Sequence, residues 1–401
     1  MNCFNWMKKK SLSSILLLFF ALLCLTGCWD RTEVNNIALI MAAGIDKSED
    51  EKIELSVQIF IPKPSEGGQQ GGMSSGSSSA QTFVKSAEGI TLADAMSKLQ
   101  EKLTRQIFWG QNEVLVIGEE LAKKGISNHI DFWMRHSGPR VRADVFIAQG
   151  TAKEVLQSIP ELERDSAKQL HELVKTDIGI KVTVKDLSQM LSGESGAAVL
   201  PWVENMPPEN SDAQKEQEVP FIKGTAIFKD DKMVGKLDDN VTRGILWPRN
   251  EIKSGVITTS LENEEGYVSV NLLRSQNHLI PHIKNEKWSI VIKTNTDLEI
   301  IQNTTNLNSL NPKFSKEVKQ KVVQDIENRE KLALSEAQEN LNTDIFGFAE
   351  SFQRKYPDIW KTKKREWDEI FQHVDVSFET TVNIKRTGLV SEEASKRGDE
   401  K

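Results

Sequence analysis

KIELSVQIFI, from Lys52 to Ile61, sets Ile53, Leu55, Val57, Ile59 and Ile61 on alternate positions against mostly polar neighbours. A period of two puts those five side chains on one face of a strand, and the residues between them predict a sheet that is half exposed. The run stops at Pro62-Lys63-Pro64. SEGGQQGGMSSGSSSAQ follows, a Gly/Ser loop over 65–81 that is poor in anything able to pack. Cys28 to Pro62 is too short to hold its own core without disulfides, so the loop belongs inside one domain.

Toward the C-terminus, strands and helices alternate. Thr82–Ala87 reads as a strand, and Thr91-x-x-Asp94 opens a helix with a capping box before Leu92, Ala95, Met96, Leu99 and Leu103. A strand at Glu113–Ile117 precedes helical sequence from Glu119 to His136, broken at Gly125. Val141–Ala148 is a further strand, Thr151-x-x-Glu154 caps another helix, helical patterns run from Arg164 to Leu191, and Ala197–Val203 returns as a strand. Together 37–205 form an N-terminal α/β domain. MPPENSDAQKEQEV at 206–219 is polar, opens with two prolines and marks a linker.

A C-terminal α/β domain follows at 220–387. Its first feature is a hairpin from Phe221 to Leu237 turning at Asp230-Asp231. Val268, Val270 and Leu272 then define one strand, and Trp288, Ile290 and Ile292 another. A long helix carries Val318, Val322, Ile326, Ala333, Ala337, Leu341 and Ile345 on one stripe at spacings of four or seven. Shorter helices around Phe346–Lys355 and Trp360–Phe371 lead to VDVSFETTVNIK, a last strand with Val374, Val376, Phe378, Val382 and Ile384 facing one way. These helices lie between strands of one sheet. Residues 388–401 are a polar tail. The expected class is α+β: a multi-domain chain with mixed or antiparallel sheets packed with helices, and a long helix in its C-terminal domain.

Toward the N-terminus, Lys8, Lys9 and Lys10 precede an apolar run from Ser11 to Leu25. A permanent span needs about 20 apolar residues, so this shorter run predicts an export signal at 1–27. Its end, Leu25-Thr26-Gly27-Cys28, resembles the bacterial lipobox at all four positions. That resemblance implies cleavage after Gly27 and a diacylglycerol on the Cys28 sulfur, which is two acyl chains and enough for stable anchoring. A tether at 28–36 joins the anchor to the first strand-like run. Fully extended, Trp29–Asn36 reach about 26 Å.

The full chain carries 51 basic and 58 acidic residues. Loss of the signal removes three lysines and no acid, leaving 48 basic against 58 acidic, a net charge of −10. Such a balance argues against nucleic acid as a partner and against attraction to anionic headgroups, so the lipid is what holds the chain at the bilayer. Cys3, Cys24 and Cys28 are the cysteines. With the first two cleaved and the third acylated, disulfides, thiolate chemistry and cysteine-bound metals are excluded from the mature chain.

No motif for catalysis, metal or cofactor binding stands out. His278 and His282 have the i, i+4 spacing of a helical metal site, but Pro281 lies between them and the pattern is strand. Gly193-Glu194-Ser195-Gly196 lacks the Gly-x-Ser-x-Gly spacing of a nucleophile elbow and reads as a loop. The tryptophans are spread singly and read as core residues, with Trp29 placed for the bilayer interface.

Several stretches resemble one family. CWDRTEVNNIALIMAAGID (Cys28–Asp46), FWGQNEVLVIGEELAKKGI (Phe108–Ile126), DFWMRHSGPRVRADVFIAQGTAKEVL (Asp131–Leu156), GTAIFKDDKMVGKLDDNVTRGILW (Gly224–Trp247) and TDIFGFAESFQRKYPDIWKTKKREWDEIF (Thr343–Phe371) resemble the Ger(x)C lipoproteins, the C subunits of spore germinant receptors. The resemblance implies a non-enzymatic subunit on the outer face of the spore inner membrane, acting with membrane-integral A and B subunits when a small nutrient triggers germination. It also implies three domains, dividing the C-terminal half near Ser260, and it carries over one functional position, Cys28. A solute-binding lipoprotein that delivers a ligand to a transporter is the alternative. Its lobes would be doubly wound with continuously apolar parallel strands, whereas the strands here alternate.

Overall fold

The structure, a computed structural model, describes residues 36–60, 82–160, 162–177, 179–207, 218–262, 264–308 and 311–386. The expected signal at 1–27, Cys28, the Gly/Ser loop at 65–81 and the tail at 388–401 lie outside those residues.

In chain order the first part runs β1 (Ile37–Lys47), β2 (Ile53–Phe60), β3 (Thr82–Gly89), α1 (Leu92–Glu101), β4 (Gln106–Phe108), β5 (Val114–Gly118), α2 (Glu119–Lys124), α3 (Ser127–Arg135), β6 (Asp144–Ala148), α4 (Ala152–Gln157), α5 (Ser166–Lys175), α6 (Val184–Leu191), β7 (Ala197–Met206), β8 (Val219–Lys229) and β9 (Lys232–Leu237). Nine strands form one sheet in the order β3-β2-β1-β5-β6-β7-β8-β9, with β4 beside β1. At its centre β1, β5, β6 and β7 are parallel. Parallel neighbours need crossovers: β2, β3, α1 and β4 lie between β1 and β5, α2–α3 between β5 and β6, and α4–α6 between β6 and β7. Helices α1, α2, α3 and α6 bury Leu99, Leu121, Trp133 and Leu187 on one face. On the other, α4 and α5 bury Val155, Leu156 and Leu170 against Val114, Val116 and Phe146.

That double cover corrects the expectation of half-exposed strands. All of β5 and β6 is buried, and on β2 even Ser56 and Gln58 are buried. Gln58 faces the helix layer because its amide is fully used: its Nε2 donates to the Leu156 carbonyl and to Ser166 Oγ, each at 3.0 Å, and its Oε1 accepts from Ala167 N at 3.2 Å. A polar residue with satisfied hydrogen bonds is as much at home under a helix as an apolar one. Strand alternation is therefore no argument against the solute-binding alternative.

Local signals set the helix ends. Thr91, Thr151 and Thr183 accept from the backbone N–H of Asp94, Glu154 and Asp186, the last two in reciprocal capping boxes. Gly125, at φ 133°, separates α2 from α3. The helical stretch expected over Arg164–Leu191 is two helices, because Val182 leaves helical geometry to accept a hydrogen bond from Val145 N at the sheet.

The second part contains α7 (Asp239–Leu246), β10 (Val256–Thr259), β11 (Val268–Lys284), β12 (Lys287–Asn303), α8 (Pro312–Ser335), α9 (Phe348–Lys355), α10 (Pro357–Lys363), α11 (Trp367–Gln372) and β13 (Asp375–Arg386). Its sheet has the order β10-β11-β12-β13. The helices α8–α11 carry the chain from β12 to β13, which pair in parallel. Helix α8 starts with Asn311 as cap and Pro312 in its first turn. It runs into a wider turn at Glu336–Asn340, so Leu341 and Ile345 of the expected stripe lie beyond the helix.

A second correction concerns the hairpin expected to open the C-terminal half. β8 and β9 belong to the first sheet: β8 pairs antiparallel with β7, from Ala197 opposite Lys229 to Met206 opposite Val219. The change of sheet falls between Leu237 and Val256, where α7 lies.

Candidate functional site

The one functional position expected from sequence, Cys28, lies outside the described residues, so its surroundings begin where the chain enters the fold. β1 takes it in: Ile37 and Leu39 pair with Gln106 and Phe108 of β4 on one side, and Leu39 with Phe60 of β2 on the other. Within about a dozen residues of Cys28, the chain is fixed by a ladder on both sides.

A second feature is the seam between the halves. The stretch Gly193–Gly196, expected as a loop, docks on the C-terminal helices. Glu194 accepts from Gln353 Nε2 at 2.5 Å and from Trp360 Nε1 at 2.8 Å, and Ser195 N and Oγ donate to Glu350 at 3.2 Å. Three of the tryptophans spread singly along the chain gather here. Trp288, Trp360 and Trp367 meet Phe352 and Phe371 at ring separations of 4.7–6.1 Å. Nothing in the sequence pointed to this cluster, because its members come from β12, α9, α10 and α11.

The buried acids are the places to look for chemistry. Asp46 accepts from Ala152 N at 2.7 Å and Lys153 N at 3.0 Å, capping α4; burial pushes its carboxyl up to about 6 against the pull of those two bonds. Asp344 does the same for α9, taking the N–H groups of Phe346, Gly347, Phe348 and Ala349 at 2.7–3.2 Å, and burial again pushes it to about 6. Asp144 holds His171 Nδ1 at 2.8 Å, with Glu113 4.0 Å from the other ring nitrogen. Burial raises the Asp144 carboxyl, and the imidazole works against that. An acid–histidine pair becomes a catalytic relay when a nucleophile completes it. Among the described residues no hydroxyl bonds to the His171 ring.

His278 and His282 sit on β11 opposite Lys293 and Ser289. Four residues along a strand is about 13 Å, too far to share an ion. Among the described residues no group of three or more His, Cys, Asp or Glu side chains could hold a metal. A groove of about 840 Å³ runs beside α8, lined by Leu261, Lys313, Phe314, Lys321 and Thr381. A smaller hollow of about 380 Å³ at the seam is lined by Arg249, His278, Glu350 and Arg354. No helix of the described residues is long and apolar enough to cross a membrane.

Comparison with known proteins covers most of the chain. Residues 30–205 match the family described as spore germination protein N-terminal domain, and 223–388 match the family described as spore germination B3/GerAC like, C-terminal. Spore germination protein KC of Bacillus subtilis (strain 168) is 25% identical over 401 residues, which is 96% of this chain and 97% of that protein. Spore germination protein B3 of the same organism is 23% identical, over 95% and 99% of the two chains. The crystal structure of the GerBC protein superposes with a TM-score of 0.56 at 18% identity, over 86% of this chain and 97% of that one. At that identity the match speaks for the fold.

Proposed function

The chain belongs to the Ger(x)C family of spore germination proteins, and from that membership we propose that it is the lipid-anchored C subunit of a nutrient germinant receptor. It acts without catalysis of its own, beside membrane-integral A and B subunits, on the outer face of the spore inner membrane. The observation that carries this reading is the ordered match of both family domains, 30–205 then 223–388. Two further points support it. Leu25–Cys28 follows a charged and an apolar segment as a lipoprotein signal does, and the buried Asp46 and Asp344 are occupied in capping helices.

The test is germination of spores that lack the chain, carry it intact, or carry Cys28→Ala, each given a nutrient and a trigger that bypasses receptors. Loss of the nutrient response alone in the first and third is expected, together with a diacylglycerol on Cys28 by mass spectrometry and co-purification of two polytopic proteins. Equal nutrient responses in all three strains would sink the reading.

A further inference from the structure

The first sheet ends at β3 and β9, the second at β10 and β13. Three of these edges are blunted. β10 has four residues, β9 has six with Gly235 among them, and on β3 the Lys102 Nζ holds the Ser86 carbonyl at 2.8 Å. β13 is different: DVSFETTVNIKR, Asp375–Arg386, runs for twelve residues with neither glycine nor proline. One side of it pairs in parallel with β12, from Asp375 opposite Ser289 to Arg386 opposite Glu299; the other side meets no strand and no backbone hydrogen bond among the described residues. A row of free N–H and C=O groups of that length is a template for another strand.

The sequence of β13 says which strand fits. Val376 and Phe378 pack against the large core, and Val382 and Ile384 against the cluster that holds Phe314 and Val318 of α8, so these alternate positions lie on the helix side. On the open side Glu379 is 3.9 Å from Lys293 and Lys385 is 3.4 Å from Asp297, while Asp375 makes no ion pair among the described residues. Antiparallel pairing of two copies about a two-fold axis keeps each face with its like, so the axis passes through one residue. With that residue Thr380, Val376 meets Ile384 and Phe378 meets Val382 on the helix side, and Asp375 meets Lys385 on the open side, each pair occurring twice. Apolar contacts and opposite charges are the cross-strand pairs that stabilise a sheet. A shift of the axis by one residue loses this: at 379 Glu379 meets itself, and at 381 Arg386 meets Val376.

A second observation marks the same residue. Thr380 Oγ1 is buried with no hydrogen-bond partner among the described residues, and the groove of about 840 Å³ beside α8 opens on Thr380, Thr381 and Val382. A Thr–Thr pair across two strands supplies such a hydroxyl with its partner. We propose that β13 pairs with β13 of a second copy, antiparallel about Thr380, so that two four-stranded sheets become one continuous sheet. This goes beyond the receptor reading and needs no lipid on Cys28.

The test uses the full chain, expressed without partners in a lipoprotein-processing bacterial host and held in detergent micelles. Sedimentation should show a concentration-dependent dimer. Thr380→Cys should oxidise to a disulfide-linked dimer, because residues on the axis have Cα atoms about 4.5–5.5 Å apart. Thr381→Cys should not, since its diagonal partner is about 7–8 Å away, beyond the reach of a disulfide. The unsubstituted chain, run beside them, measures whatever Cys3, Cys24 and Cys28 contribute. Asp375→Lys should weaken the dimer on the order of tenfold by setting lysine against Lys385 twice, and adding Lys385→Glu should bring it back toward wild type. A monomer at every concentration would overturn the pairing and leave the edge to residues 387–401 or to a strand of another protein. A dimer that forms no disulfide through 380 and ignores Asp375→Lys would overturn it too, by placing the contact on another face. Equal oxidation at 380 and 381 would overturn the register.

Discussion

Glu330 lies four residues after Ile326, within the buried stripe of α8, and is 1% exposed. Thr294 Oγ1 is 3.4 Å from one carboxyl oxygen, and the other has no partner among the described residues. Burial, with Glu327 nearby, pushes this carboxyl up to about 8. The folded state therefore holds a proton that the unfolded chain releases near 4.5, so stability is fully present below that value and is lost as pH rises toward 8. Each tenfold difference in proton affinity between the two states is worth about 1.4 kcal/mol. Denaturant unfolding should find Glu330→Gln close to wild type at pH 5 and more stable at pH 8, by on the order of 2–4 kcal/mol. An equal difference at both pH values would show that the carboxyl titrates as if in water. The seven-residue gap between Ile326 and Ala333 was visible in the sequence, and a glutamate in that gap reads as solvated. Only packing under β12 reveals that the stripe has no gap.

At the scale of elements, α7 and α8 meet at one glycine. A Cβ on Gly244 would stand 2.2 Å from the Arg329 carbonyl oxygen and 3.0 Å from the Ala333 Cβ. Both neighbours belong to the body of α8, so neither can swing aside. Gly244→Ala would gain helix propensity in isolation, yet it should cost the protein about 1–3 kcal/mol by forcing the helices apart. A thermal midpoint equal to or above that of wild type would refute the contact. Element positions were largely legible: threonine caps, Gly125, the two-residue turn at Asp230-Asp231 and the stripe of α8 are local signals read by local physics. The close approach at Gly244 was not, since it depends on a partner 85 residues away.

Across the whole molecule, the sequence marks 206–219 as a linker between two domains, while the hydrogen bonds run across it. β7 and β8 pair up to Met206 and Val219, and one buried cluster includes Leu200 and Phe228 of the first sheet together with Phe348, Trp360 and Phe371 of the C-terminal helices. A chain cut at a protease site inserted within 208–217 should stay in one piece on gel filtration under native conditions, and its two fragments should separate only in denaturant. Fragments that elute apart without denaturant would mean that the shared sheet does not hold the halves together.

Sequence by itself determined what depends on neighbours along the chain. These are the alternation of strands and helices, the helix caps, and the ordered family motifs that identify the chain. Tertiary structure alone decided what depends on distant partners: the burial of both faces of the first sheet, the return of β8 and β9 to that sheet, and the gathering of Trp288, Trp360 and Trp367. The division has one physical cause. Dihedral preferences and capping bonds act over a few residues, whereas burial and strand pairing are set by whichever segment arrives opposite, and a single sequence does not state which one that will be.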